Sequence, residues 1–284
     1  MIRPDSQARH RAAGMALVEL MIAMVLGLLV VGAAFAIFLS NQRSYTTNED
    51  LNRIQENARI ALDLIARDIR AAGGSACSSA SEMASGGTNA LLFRDTPITG
   101  NASTLRVASG EDAAYKIAAA SATGLTLAPG QLSKASNVFS AGDVLLLCNA
   151  RKTFVVTATA VGDQTISFAA LPSGYDPAAD PYASLATVAL ARFRDVTWSV
   201  ANNANGKPSL FVKRGGGAAE EVIEGVQSVA FSYLDSSTGL YSATPNFANV
   251  IAVRVELVLQ GAAVDGSPLL RRASSVISVR GRTL

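Results

Sequence analysis

Histidine is all but missing from this chain, with one residue, His10, among 284. From residue 11 onward there is no imidazole, the side chain that titrates near neutral pH and serves most often as general base and metal ligand. A Ser-His-Asp triad and a histidine-held zinc site are therefore excluded from that stretch. Charge is sparse too, at 16% of residues, and the formal net charge is +2. Binding to nucleic acid through bulk charge is not expected. Aromatic residues make up 6%, with a single tryptophan. They are too scattered to form a base-stacking platform, and no nucleic-acid site is identified. Cysteine is limited to Cys77 and Cys148, a weak metal set without histidine. No catalytic residues, no cofactor and no metal are expected.

Apolar residues, by contrast, are concentrated near one end. Met15 to Leu39 is an apolar run of 25 positions broken by one charge, Glu19, and preceded directly by Gly14. About 20 apolar residues cross a bilayer as a helix, and at about 1.5 Å per residue this run reaches about 38 Å. A carboxylate five residues into it costs roughly 2.5–3.5 kcal/mol at mid-membrane and less near an end, so Glu19 requires a partner. Before the run, Arg3, Arg9 and Arg11 stand against Asp5. Basic flanks favour retention on the cytoplasmic side, which directs the C-terminal bulk outward. A secretory signal peptide has a shorter apolar region closed by an A-x-A-like site. Here the small residues Ala12, Ala13 and Gly14 come before the run instead. An ordinary signal anchor explains everything except Gly14 and Glu19.

Gly14 followed by Met15-Ala16-Leu17-Val18-Glu19-Leu20 resembles the processing site of type IV prepilins. The resemblance implies that a prepilin peptidase cuts between Gly14 and Met15 and that Met15 is then N-methylated. It also implies that Glu19 meets the N-terminal amine of a neighbouring subunit. An opposite charge close by makes a buried carboxylate tolerable, whereas an unpaired one is strongly destabilising. Cleavage there would remove His10 and leave 21 basic against 21 acidic residues. Asn41-Gln42-Arg43-Ser44-Tyr45, Arg53-Ile54-Gln55-Glu56-Asn57-Ala58-Arg59 and Ala66-Arg67-Asp68-Ile69-Arg70-Ala71-Ala72-Gly73 are similar to the PilW family of minor pilins. The likeness covers about the first quarter of the chain. It thins to scattered matches such as Ala141-Gly142-Asp143-Val144-Leu145 and Pro208-Ser209-Leu210. Methionine stands where major pilins usually have phenylalanine, and their helix-breaking proline near Ala36 has no counterpart.

The resemblance implies an assembly subunit and not an enzyme. Its partners would be the peptidase, other minor pilins, a major pilin, the inner-membrane assembly platform and inner-membrane lipid. It would span the bacterial inner membrane once, with its C-terminal domain in the periplasm, and after assembly it would sit in the pilus at the tip. Roles in twitching motility, adhesion or DNA uptake follow equally. A minor pseudopilin of type II secretion, resembling GspJ, shares the motif and the plan. A membrane-anchored binding module that never polymerises needs neither Gly14 nor Glu19. An exported, oxidising compartment and an even count suggest a Cys77–Cys148 bridge. Closing a loop of about 70 residues would stabilise by roughly 4 kcal/mol. The alternative is two free buried thiols.

The helix should continue past the bilayer. Leu51, Ile54, Ala58, Ala61, Leu62, Ile65, Ile69 and Ala72 recur at three- and four-residue steps, an amphipathic stripe. Arg53, Glu56, Arg59, Asp63, Arg67 and Arg70 take the other face, with Arg59–Asp63 and Asp63–Arg67 spaced for pairing. The polar residues 40–50 could loosen the middle, and Gly73-Gly74 is placed to cap the end. Short β-like runs follow: 90–94, 104–108, 114–118, 125–128, 143–147, 153–158, 165–168, 187–193, 196–200, 209–213, 221–223, 226–234, 250–259 and 276–279. Turn residues divide them, which favours antiparallel pairing.

The expected fold is α+β, a long N-terminal helix laid on antiparallel sheet, with two sheets. The expected segments are a leader (1–14), a membrane or filament-core helix (15–39), its amphipathic continuation (40–74) and a β-rich domain (75–284). A break is expected near 171–182, where Pro and Asp are dense. Asn202–Gly206 reads as a hairpin turn. Gly215-Gly216-Gly217 reads as a hairpin tip, lacking the strand and helix of a phosphate loop. Asp235–Gly239 lacks the spacing of a calcium loop, and Asn101-Ala102-Ser103 is a sequon of the kind frequent by chance.

Overall fold

The computed structural model describes residues 15–74, 82–83, 87–121, 123–148, 152–169, 189–264 and 267–279. It divides into two units, one ending at Arg53 and the other beginning at Ile54. The expected break near 171–182 lies outside the described residues.

Helix α1 (Met15–Ala71) makes up the described part of the first unit and opens the second. The polar stretch after residue 40 does not interrupt it. The Thr46 hydroxyl donates to the Gln42 and Arg43 carbonyls, and Thr47 donates to Arg43. Hydroxyls that bond back one turn are compatible with a continuous helix. In the second unit the stripe is as expected: Ile54, Ala58, Ala61, Ile65, Ile69 and Ala72 are buried, and the basic and acidic residues of the opposite face are exposed. The pairing on that face differs from expectation. Arg59 reaches back one turn to Glu56, at 3.1–3.2 Å, which holds the Glu56 carboxyl below its ordinary range. The expected cap forms: Gly73 has φ +68, and its N–H donates to the Ala108 carbonyl at 2.9 Å. A left-handed residue there both ends the helix and ties its end to a strand.

Helix α2 (Gly87–Arg94) replaces the strand expected at 90–94. The run is short, and short apolar runs do not distinguish the two periods. Ala90 and Phe93, one helical step of three apart, are buried beside Ala108, Leu146, Ala191 and Phe193, and that contact selects the helix.

The strands are β1 (Glu82–Met83), β2 (Ile98–Gly100), β3 (Leu105–Ser121), β4 (Gly124–Leu127), β5 (Val144–Cys148), β6 (Lys152–Val161), β7 (Thr165–Phe168), β8 (Ala189–Asn202), β9 (Pro208–Arg214), β10 (Ala219–Glu224), β11 (Val226–Asp235), β12 (Tyr241–Ser242), β13 (Val250–Val264) and β14 (Ser267–Ser278). They form two sheets, antiparallel apart from the two-residue β1 beside β6. One runs β12-β11-β13-β14. The other runs β10-β9-β8-β5-β6-β7-β4-β3-β2 and carries an additional β8–β3 pairing. That pairing closes β3, β4, β7, β6, β5 and β8 into a ring. Two of the expected strand pairs are single strands: 104–108 and 114–118 are joined in β3 across an irregularity between Gly110 and Ala114, and 196–200 and the described part of 187–193, from Ala189 onward, fall in β8. Asn203–Lys207 closes the β8–β9 hairpin as expected, and Gly215–Gly217 forms the β9–β10 tip.

Two hydrophobic interiors result. In one, the α1 stripe packs with Leu105, Val196 and Trp198 of the larger sheet and with Phe231, Val255 and Leu257 of the smaller. The other fills the ring with Ile117, Leu125, Leu147, Phe154, Ile166 and Leu190, as interior side chains fill small closed barrels.

Candidate functional site

The first unit presents a surface that water does not tolerate. Sixteen large apolar side chains between Leu17 and Leu39 are each at least half exposed. Burying one such side chain is worth about 1.5–3 kcal/mol, so this surface requires lipid or other helices. Glu19 is also exposed, and it is the only charged residue between Met15 and Gln42. It lies four residues after Met15 on a continuous helix, so the two positions share a face. Gly14 lies outside the described residues, and so does Cys77. Cys148 ends β5 and is fully buried.

In the second unit a buried polar anchor holds α1 to β8, and sequence reasoning missed it. Asp68 is 2% exposed. Its Oδ2 accepts a hydrogen bond from Trp198 Nε1 at 2.8 Å, and its Oδ1 lies 2.8 Å from Arg194 Nη2. The signal was present: Asp68 falls three residues after Ile65 and four before Ala72, within the apolar stripe. An acid on a core face needs a donor. Nearby, Arg106 and Asp195 form a two-point pair at 2.6–2.8 Å, a geometry that adds both strength and direction. The bond to Asp195 raises the Arg106 guanidinium above its ordinary range.

A cleft of about 570 Å³ lies between the ring and the β9–β10 tip, lined by Glu111, Asp143, Arg192, Arg194, Asp195 and Arg214 among others. Its charges are paired. Arg192 sits 3.3 Å from Asp143 and 3.6 Å from Glu111, Arg194 meets Asp68, and Arg214 meets Glu220. Asp235 serves its own turn, accepting from the Ser237 N–H and hydroxyl, and these bonds hold its carboxyl below its ordinary range. Among the described residues no three His, Cys, Asp or Glu side chains are grouped to hold a metal.

Residues 9–35 match the prokaryotic N-terminal methylation motif. The match spans Gly14, Met15 and Glu19 and ends within the apolar run. No curated protein and no solved structure matches the chain significantly. The motif and the exposed apolar helix together support a type IV pilin-like protein. The motif implies processing by prepilin peptidase and assembly with other pilins. The helix is long and apolar enough to cross a membrane once. Below that motif lies the expected architecture, a long helix and two antiparallel sheets.

Proposed function

We propose that this chain is a minor pilin of the PilW type, an assembly subunit and not a catalyst, that primes or supports type IV pilus growth. Cleavage after Gly14 leaves Met15 as the N-methylated terminus, whose amine is positively charged at neutral pH. The subunit waits in the inner membrane with its β-rich unit in the periplasm, where Cys77 and Cys148 pair. It leaves the bilayer by exchanging lipid for the helices of other pilins, so the apolar surface of α1 stays out of water throughout. Glu19 meets the amine of a neighbour, and because the pair is desolvated its loss is costly. This pairing selects axial register. The observation that carries the reading is a single carboxylate, four residues past the cleavage position, on an otherwise apolar exposed helix.

The test combines mass and assembly. Membrane-extracted protein is expected to lack residues 1–14, to carry one methyl group and to be two hydrogens lighter than the dithiol. Glu19→Ala is expected to insert normally and to fall at least tenfold in sheared filaments. An N-terminus at Met1, or wild-type incorporation of the variant, overturns the reading. Co-purification with secretion components instead of pilins would move it to the pseudopilin class.

A further inference from the structure

The smaller sheet ends in β14, whose outer edge pairs with no strand among the described residues. Val279 N–H donates to the Ile251 carbonyl at 2.8 Å, and the register pairs Ile277 with Val253, Ser275 with Val255 and Ala273 with Leu257. Antiparallel ladders alternate bonded and non-bonded pairs. The odd-numbered residues of β14 therefore bond β13, and Leu270, Arg272, Ser274, Val276 and Ser278 aim their backbone N–H and C=O away from the sheet. All five are exposed. Among the described residues no strand pairs there.

Charge also marks this edge. The described strand arginines Arg106, Arg192, Arg194 and Arg214 all pair with carboxylates. Arg254 stacks over the Tyr241 ring at 4.0 Å. Arg271 and Arg272 alone among them, both exposed, have neither a carboxylate nor a ring. Arg272 lies on the exposed face of the strand, whereas Arg271 shares the other face with Leu269 and Ala273, which are only partly buried at the margin of the core. An unpaired strand edge is a template for another extended segment, and such additions draw affinity from main-chain bonds and specificity from alternate side chains.

We propose that the β14 edge receives an extended segment of a partner protein with alternating acidic and apolar residues. Its carboxylates meet Arg272 on the exposed face, while Arg271, exposed between Leu269 and Ala273, takes a further carboxylate at the margin of the core face. Its apolar residues continue the core face beside Leu269 and Ala273. The main chains bond through Leu270, Arg272, Ser274, Val276 and Ser278. This surface is independent of the apolar part of α1, so the proposal does not require filament assembly through that helix.

The probe is a capped Val-Glu-Val-Glu-Val-Glu-Val peptide, compared with its Val-Lys counterpart, on the full chain in detergent. Fluorescence anisotropy is expected to show the acidic peptide binding at least tenfold tighter. Amide hydrogen exchange is expected to slow at Arg272, Ser274 and Val276. Ser274→Pro removes an outward N–H that β13 does not use and is expected to weaken binding at least tenfold. Arg271→Glu combined with Arg272→Glu leaves the backbone edge intact and is expected to reverse the preference toward the lysine peptide. Equal or absent binding of the two peptides overturns the proposal. So does unchanged preference in the charge-reversed chain, or self-association through β14 that excludes the peptide.

Discussion

Asp68→Ala is expected to destabilise the second unit by about 3 kcal/mol, the lower end of what breaking a buried ion pair costs. The lower end applies because Arg194 keeps 22% of its side chain exposed and recovers part of its hydration. The substitution removes the acceptor of Trp198 Nε1 as well as the counter-charge of Arg194, leaving a buried indole donor unmet. Trp198 is the chain's only tryptophan, so urea unfolding followed by its fluorescence reads the site directly. Asp68→Asn keeps an acceptor without the charge and should lose less. With Arg194→Ala added, the combined loss should fall short of the sum, as for residues in one network. A change within about 0.5 kcal/mol, the scatter for surface substitutions, would show that the anchor holds nothing.

Gly100→Ala is expected to cost at least about 3 kcal/mol. Gly100 has φ +151, and a Cβ there would sit 2.2 Å from the Thr104 carbonyl oxygen and 2.5 Å from the Tyr233 hydroxyl. Neither neighbour can move cheaply. Tyr233 is fully buried, it donates toward the Thr104 and Asn101 carbonyls at 3.0 and 3.2 Å, and its ring meets Phe247 edge-on. Burial pushes its phenol above the ordinary range. The same turn is held by Asn101 Oδ1, which accepts from the Ser103 and Thr104 N–H groups. Gly130→Ala supplies the comparison: φ is also positive, at +82, but nothing lies within 4 Å of the added carbon. It should cost only about 1 kcal/mol, the conformational part alone. Equal melting shifts for the two variants would remove the steric argument.

The helix was legible in the sequence because its signals are local. The apolar run, the stripe from Ile54 to Ala72 and the Gly73 cap each reside within a few neighbouring residues. So were most strands and the two hairpin tips. The run at 90–94 was misread because four apolar neighbours fit either period until Phe193 and Leu146 choose between them. Gly110, Glu111 and Asp112 look like a turn between two strands, yet β3 continues through them because β8 pairs on both sides of the irregularity. The ring was beyond reach, since its closure joins Leu105 to Trp198 and Lys116 to Ala189, partners that nothing local announces. Asp68 shows in the sequence only as one acid within an apolar stripe, because its partners Trp198 and Arg194 are remote along the chain. At the candidate site, Glu19 was legible for the opposite reason, as one charge in an otherwise greasy stretch.

β8 contributes Leu190 to the interior of the ring and Trp198 to the packing under α1. A strand that belongs to both cannot be withdrawn from one and left in the other. Heating should therefore dissolve the two together, as one calorimetric peak and not two. An injury inside the ring would then loosen the seat on which the C-terminal part of α1 rests.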